Sequence, residues 1–101
     1  MPKINIDVPS KHPASETFQR IKGFLDHDQD LRRLDSQYQC EFNETEMTGL
    51  ARGSQFKADL KVESSGSGSQ VKISVELPFA LGLFKGKIQH MLENKLEKTL
   101  G

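Results

Sequence analysis

Apolar and polar positions along the chain change period several times, and each change marks an element. Ile4, Ile6 and Val8 alternate with Lys3, Asn5 and Asp7, which predicts a half-buried strand. Pro9 and Pro13 then predict an end to pairing, with Pro13 suited to the first position of a helix. Ala14, Phe18, Ile21 and Leu25 follow at helical spacing and form one apolar stripe. Gly23 interrupts that helix and weakens it unless close packing requires it. The helix is expected to fray near Asp26, with Leu31 and Leu34 tethering the link that follows. From Tyr38 the period returns to two, with Tyr38, Cys40 and Phe42 on one face. A weaker strand runs from Met47 to Arg52, where Leu50 opposes Met47 and Ala51. The clearest alternation is Phe56, Ala58, Leu60 and Val62, answered by Val71, Ile73, Val75 and Leu77. The polar run Ser64 to Ser69 reads as the loop of this antiparallel hairpin. A last helix carries Phe84, Ile88, Met91, Leu92, Leu96 and Leu100 as its stripe.

The predicted order is β-α-β-β-β-β-α: an α+β domain over residues 1–101 with a curved antiparallel sheet of four to five strands wrapping a long C-terminal helix. That order resembles a shortened helix-grip domain of the START and plant-allergen type.

Composition narrows the function classes. The 101 residues allow one domain, and 14 basic residues cancel 14 acidic ones, which argues against a nucleic-acid binder. No apolar run approaches the ~20 residues of a membrane-spanning helix. The opening Met1 to Pro9 lacks the apolar core of a secretion signal, which predicts a cytoplasmic location. Charge is nonetheless uneven: residues 26–46 hold seven acids against two arginines, a net of −5, while the last helix is slightly basic.

Several chemical motifs fail on their own terms. Asp26, Asp28 and Asp30 open like a calcium loop, yet Leu31 stands where glycine is needed and Gln37 where a bidentate glutamate belongs. His12, His27 and His90 share no metal-binding spacing, so no metal and no cofactor are expected. The lone Cys40 excludes an internal disulfide, and its place beside Tyr38 and Phe42 predicts a buried, inert thiol rather than a small hydrolase in which Cys40 or a serine is the nucleophile paired with a histidine. Ser64 to Ser69 precedes a strand rather than a helix and so cannot cradle phosphate as a P-loop does. Asn43-Glu44-Thr45 fits a glycosylation acceptor that a cytoplasmic chain would not use.

The unusual stretch is Leu77 to Phe84, eight residues without charge, followed by Lys85-Gly86-Lys87. Either Phe79, Leu81 and Phe84 close the end of the core, or they project as an apolar lip flanked by lysines. Val75-Glu76-Leu77, then Leu81 through Ile88 into a long helix, resembles the polyhydroxyalkanoic acid system family of small bacterial proteins. Phe84-Lys85-Gly86-Lys87-Ile88 carries most of the likeness, and Ile4, Ile6, His12, Pro13 and the stripe from Ala14 to Leu25 fit the family's opening. The resemblance implies association with polyhydroxyalkanoate storage granules, or handling of an apolar acyl ligand, and brings no catalytic residues. The expectation is therefore a non-enzymatic binding protein, monomer or weak homodimer, touching its ligand or the granule through Phe79, Leu81, Leu83, Phe84, Lys85 and Lys87. The alternative is a structural or regulatory module that self-associates through a sheet edge or the C-terminal helix.

Overall fold

The computed structural model describes residues 3–54 and 56–101, without the side chains at 30, 31 and 34. The expected tethers Leu31 and Leu34, and Asp30 of the calcium-like rhythm, thus lie outside the described residues. Five strands form one antiparallel sheet: β1 (Lys3–Ser10), β2 (Gln39–Asn43), β3 (Thr48–Arg52), β4 (Lys57–Ser65) and β5 (Gly68–Glu76). Their order across the sheet is β1-β5-β4-β3-β2. The helices are α1 (Ala14–His27), a short α2 (Gln29–Leu34) and α3 (Lys85–Leu100), the last entered through a 3₁₀ segment at Phe79–Phe84.

Register follows from the alternation in the sequence. Ile4, Val75 and Ala58 lie side by side across β1, β5 and β4, as do Ile6, Ile73 and Leu60, then Val8, Val71 and Val62. A shift of one residue would turn every one of these side chains to water, so burial fixes the pairing. α1 lays Phe18 and Ile21, both almost fully buried, on this inner face. Phe18 also meets Phe42 edge-on, with ring centroids 6.1 Å apart.

Four expectations need correction. Pro9 does not end the first strand: it pairs with Gln70, and Ser10 with Ser69, because β1 is an edge strand and proline is tolerated there. Pro13 caps α1 rather than starting it, its carbonyl accepting from Thr17 N–H at 2.9 Å. The hairpin loop is not Ser64 to Ser69. Ser64 pairs with Ser69 and Ser65 with Gly68, leaving only Gly66 and Ser67 as the connection. Gly66 has φ +58, a conformation that costs glycine little and any residue with a Cβ more. The third strand begins at Thr48 rather than Met47, which sits in the turn at φ 54. α2 has no counterpart in the sequence pattern, six residues being too short to show a period.

One end of the sheet is fastened by polar groups. Thr17 Oγ1 on α1 lies 2.7 Å from both Ser10 Oγ on β1 and Ser69 Oγ on β5, and all three residues are buried. The backbone carbonyl of His12 accepts from this cluster. The imidazole of His12 reaches the other way, with Nε2 2.8 Å from the carbonyl of Leu100 and Nδ1 2.8 Å from the Glu16 carboxylate. Together these join β1, β5, α1 and the last turn of α3.

Gly23 has nothing within 4 Å of the position its Cβ would take, so close packing does not require it. Gly23→Ala should raise stability by about 0.5–1 kcal/mol, chiefly by restricting the unfolded chain. Denaturant titration of the two proteins checks this; an unchanged or lower midpoint would contradict it.

Candidate functional site

α3 is buried unevenly along its length. Leu96 and Leu100 in its C-terminal half belong to the core, whereas Ile88, Met91 and Leu92 are only half-buried. Beneath them, between the first turns of α3 and the inner face of the sheet, lies a hollow of about 480 Å³. Its floor is Ala51, Ala58, Ile73 and Val75, and its roof is Leu81, Phe84, Ile88 and Leu92. The small alanines of β3 and β4 are paired in register, and their short side chains account for much of the missing volume. Phe24, Leu25, Phe56 and Tyr38 wall the side facing α1. Polar groups on the wall are few: Asp35, Tyr38 and, at the rim, exposed Lys87. A largely apolar cavity of this size with a few polar groups suits a small, mostly hydrocarbon molecule.

The polar groups are held firmly. Asp35 is buried and accepts from Gln37 N–H at 3.0 Å and from the Ser54 hydroxyl at 3.1 Å. Gly53 allows this approach, since a Cβ there would fall 2.2 Å from Asp35 Oδ2. Tyr38 is buried, stacks on Phe56 at 6.0 Å, and donates its hydroxyl to the carbonyl of Leu25 at 2.8 Å. Burial, helped by the neighbouring Cys40, pushes the Tyr38 hydroxyl well above the ordinary tyrosine range. Burial likewise raises the Cys40 thiol, which points at the same Leu25 carbonyl at 3.7 Å. A protonated thiol engaged with backbone is a poor nucleophile.

The residues singled out in the sequence divide into two groups. Leu81, Phe84 and Lys87 border the hollow. Phe79 and Leu83 are 79% and 94% exposed and, like exposed Lys85, form no part of its lining. The stretch from Leu77 to Phe84 therefore both closes the core and projects: Leu77 is buried and Leu81 packs on the core. The floor alanines and Tyr38 had no functional signal in the sequence beyond their inward positions in the strand pattern.

The remaining candidates lie elsewhere. His27 ends α1 and His90 is exposed on α3, while Asp28 follows α1 and meets Lys95 of α3 at 3.0 Å. The acidic patch is partly matched by neighbours. Glu44 accepts from Gln19 and Lys22, which hold its carboxyl below the usual range, and Glu41 meets Arg52 at 3.4 Å. Among the described residues no cluster of His, Cys, Asp and Glu is arranged to hold a metal ion, and no helix is long and apolar enough to cross a membrane.

Tyr38 is the chain's single tyrosine, so tyrosinate absorbance reports it alone. Because its folded pKa is raised, the native state keeps the proton while the unfolded chain loses it near pH 10. Stability should be intact below that pH and fall as pH rises above it. The native chain should show no tyrosinate until it unfolds; an ordinary titration near pH 10 in folded protein would refute the buried hydrogen bond.

No known family model matches the chain, and no curated protein matches it. Solved structures do. The fold is similar to that of TTHA0849 from Thermus thermophilus, with a TM-score of 0.62 at 12% identity, over 98% of this chain and 94% of that one. It is also similar to the di-domain ARO/CYC BexL from the BE-7585A biosynthetic pathway, with a TM-score of 0.63 at 9% identity. There the match covers 99% of this chain but 44% of BexL, so the chain spans less than half of that protein. Ara h 8.0201 matches with a TM-score of 0.54 at 17% identity, over 97% of each chain. At such identities the likeness is one of architecture: the chain has a shortened helix-grip fold, a curved five-stranded antiparallel sheet with a long C-terminal helix.

Proposed function

We propose that the protein is a non-enzymatic carrier of an apolar acyl ligand, held in the hollow beneath α3 with its anionic head at Lys87. The observation that carries this reading is the hollow itself, apolar on floor and roof with a lysine at the rim. Apolar burial would supply most of the affinity, and the charge would set the orientation of the ligand. BexL and Ara h 8.0201 share the architecture in which the hollow lies, a sheet closed by a long C-terminal helix. The resemblance to the polyhydroxyalkanoic acid system family, carried by Phe84 to Ile88, adds the setting: a bacterial cytoplasm, at or near storage granules. A second reading, two copies joined through the open edge of β2, is supported by that strand's place at the end of the sheet order. A sedimentation coefficient independent of concentration would count against it.

The direct test is titration with a fluorescent long-chain fatty acid analogue. Wild-type protein should bind saturably, and Ala58→Phe, which puts a ring on the floor of the hollow, should weaken binding about tenfold or more while the protein stays folded. Lys87→Gln should weaken the fatty acid but not the corresponding neutral alcohol. Absence of binding to wild type, or equal binding by Ala58→Phe, would sink the carrier reading. Granule association is read separately, by whether the protein cofractionates with polyhydroxyalkanoate particles.

A further inference from the structure

Phe79 and Leu83 serve neither the core nor the hollow. They project from the 3₁₀ segment at 79% and 94% exposure, with Phe84 beside them at 53%. The segment is short and entered through Pro78, whose carbonyl accepts from Leu81 N–H at 3.0 Å. This turn directs Leu81 inward and leaves its neighbours outward. Exposing such side chains costs solubility, so a cluster of three on six residues calls for an occupant.

We propose that this tip docks on an anionic lipid surface, with Phe79 and Leu83 among the acyl chains and Lys85 among the headgroup phosphates. Charge points to that occupant. No acidic residue occurs between Glu76 and Glu93, while Lys85, Lys87 and His90 all fall there. An apolar tip followed directly in the chain by Lys85 and Lys87, with no acid on the same segment, complements a negatively charged interface over a hydrocarbon interior. Area argues against a second copy of the chain. The three side chains expose on the order of 400 Å², about half of the ~800 Å² that each partner of a stable protein complex buries. A fluid interface needs neither that area nor a matching surface. The inference stands apart from the carrier reading, because Phe79, Leu83 and Lys85 do not line the hollow.

Co-sedimentation with phosphatidylcholine vesicles, with and without phosphatidylglycerol, tests this. Wild-type protein should bind the anionic vesicles, bind neutral ones far less, and release as salt rises. Phe79→Asp combined with Leu83→Asp should lower vesicle affinity about tenfold or more. Lys85→Glu alone should remove the preference for anionic lipid. Both variants should keep the wild-type thermal midpoint and unchanged binding of the fatty acid analogue, which separates this result from failure of the hollow. The proposal is overturned if wild type ignores anionic vesicles or if the variants bind them as wild type does. It is equally overturned if the double variant changes only a concentration-dependent dimer. Equal binding to uncharged polyhydroxyalkanoate particles, insensitive to Lys85→Glu, would overturn it too, by assigning the tip to polymer rather than lipid.

Discussion

The structure depends on a mismatch between the apolar inner face of the sheet and the helices available to cover it. The five strands offer inward side chains from Ile4 to Val75, and among the described residues α1 and α3 cover them. α1 seals its share with Phe18 and Ile21, which are almost fully buried. α3 is anchored where Leu96 and Leu100 meet the core, and its first turns stand over a floor in which Ala51 and Ala58 sit beside Ile73 and Val75. Filling the gap would ordinarily be favourable, at roughly 25 cal/mol for each Å² removed from water. Keeping it open therefore sacrifices stability that the same backbone could have had with bulkier residues at Ala51 and Ala58. Natural chains commonly accept such losses where a site must admit another molecule.

Polar contacts decide where α3 lies rather than how strongly it is held. The surface ion pairs, such as Arg52 with Glu41, join exposed groups and contribute within ~1 kcal/mol. The Lys95–Asp28 pair is better placed, with side chains 24% and 11% exposed, and it ties the middle of α3 to the end of α1. The Leu100 carbonyl on His12 and the Ser10–Thr17–Ser69 hydroxyls fix the far end. Buried hydroxyls of this kind act as a set, because deleting one takes a hydrogen bond from each hydroxyl it meets in a medium that penalises that heavily.

Much of the architecture was legible in the sequence for a simple reason: a one-sided sheet writes its register into the chain. Phe56 to Val62 and Val71 to Leu77 alternate without error, and the structure pairs Ala58, Leu60 and Val62 with Val75, Ile73 and Val71 as the pattern demands, leaving Phe56 and Leu77 just outside the ladder. Where the pattern misleads, backbone rather than side chain decides. Ser64, Ser65 and Gly68 look like loop by composition, yet their backbone groups complete the ladder, and the turn is left to Gly66 and Ser67. The lip from Phe79 to Phe84 was visible as a run without charge, but which of its side chains turn inward depends on a 3₁₀ geometry that no periodicity announces. The hollow was less legible still. It is made by what Ala51 and Ala58 lack, and small residues on a strand read equally well as tight packing.

The fastening at one end and the gap at the other give the molecule an uneven stiffness. Around Thr17 and His12 the ends of two strands and two helices share short hydrogen bonds, so that region has little room to shift without breaking several at once. Toward Phe84, α3 rests on contact between half-covered side chains. A small tilt of the helix about its pinned terminus would widen the opening without disturbing the packed core, much as a door leaf moves without straining its frame.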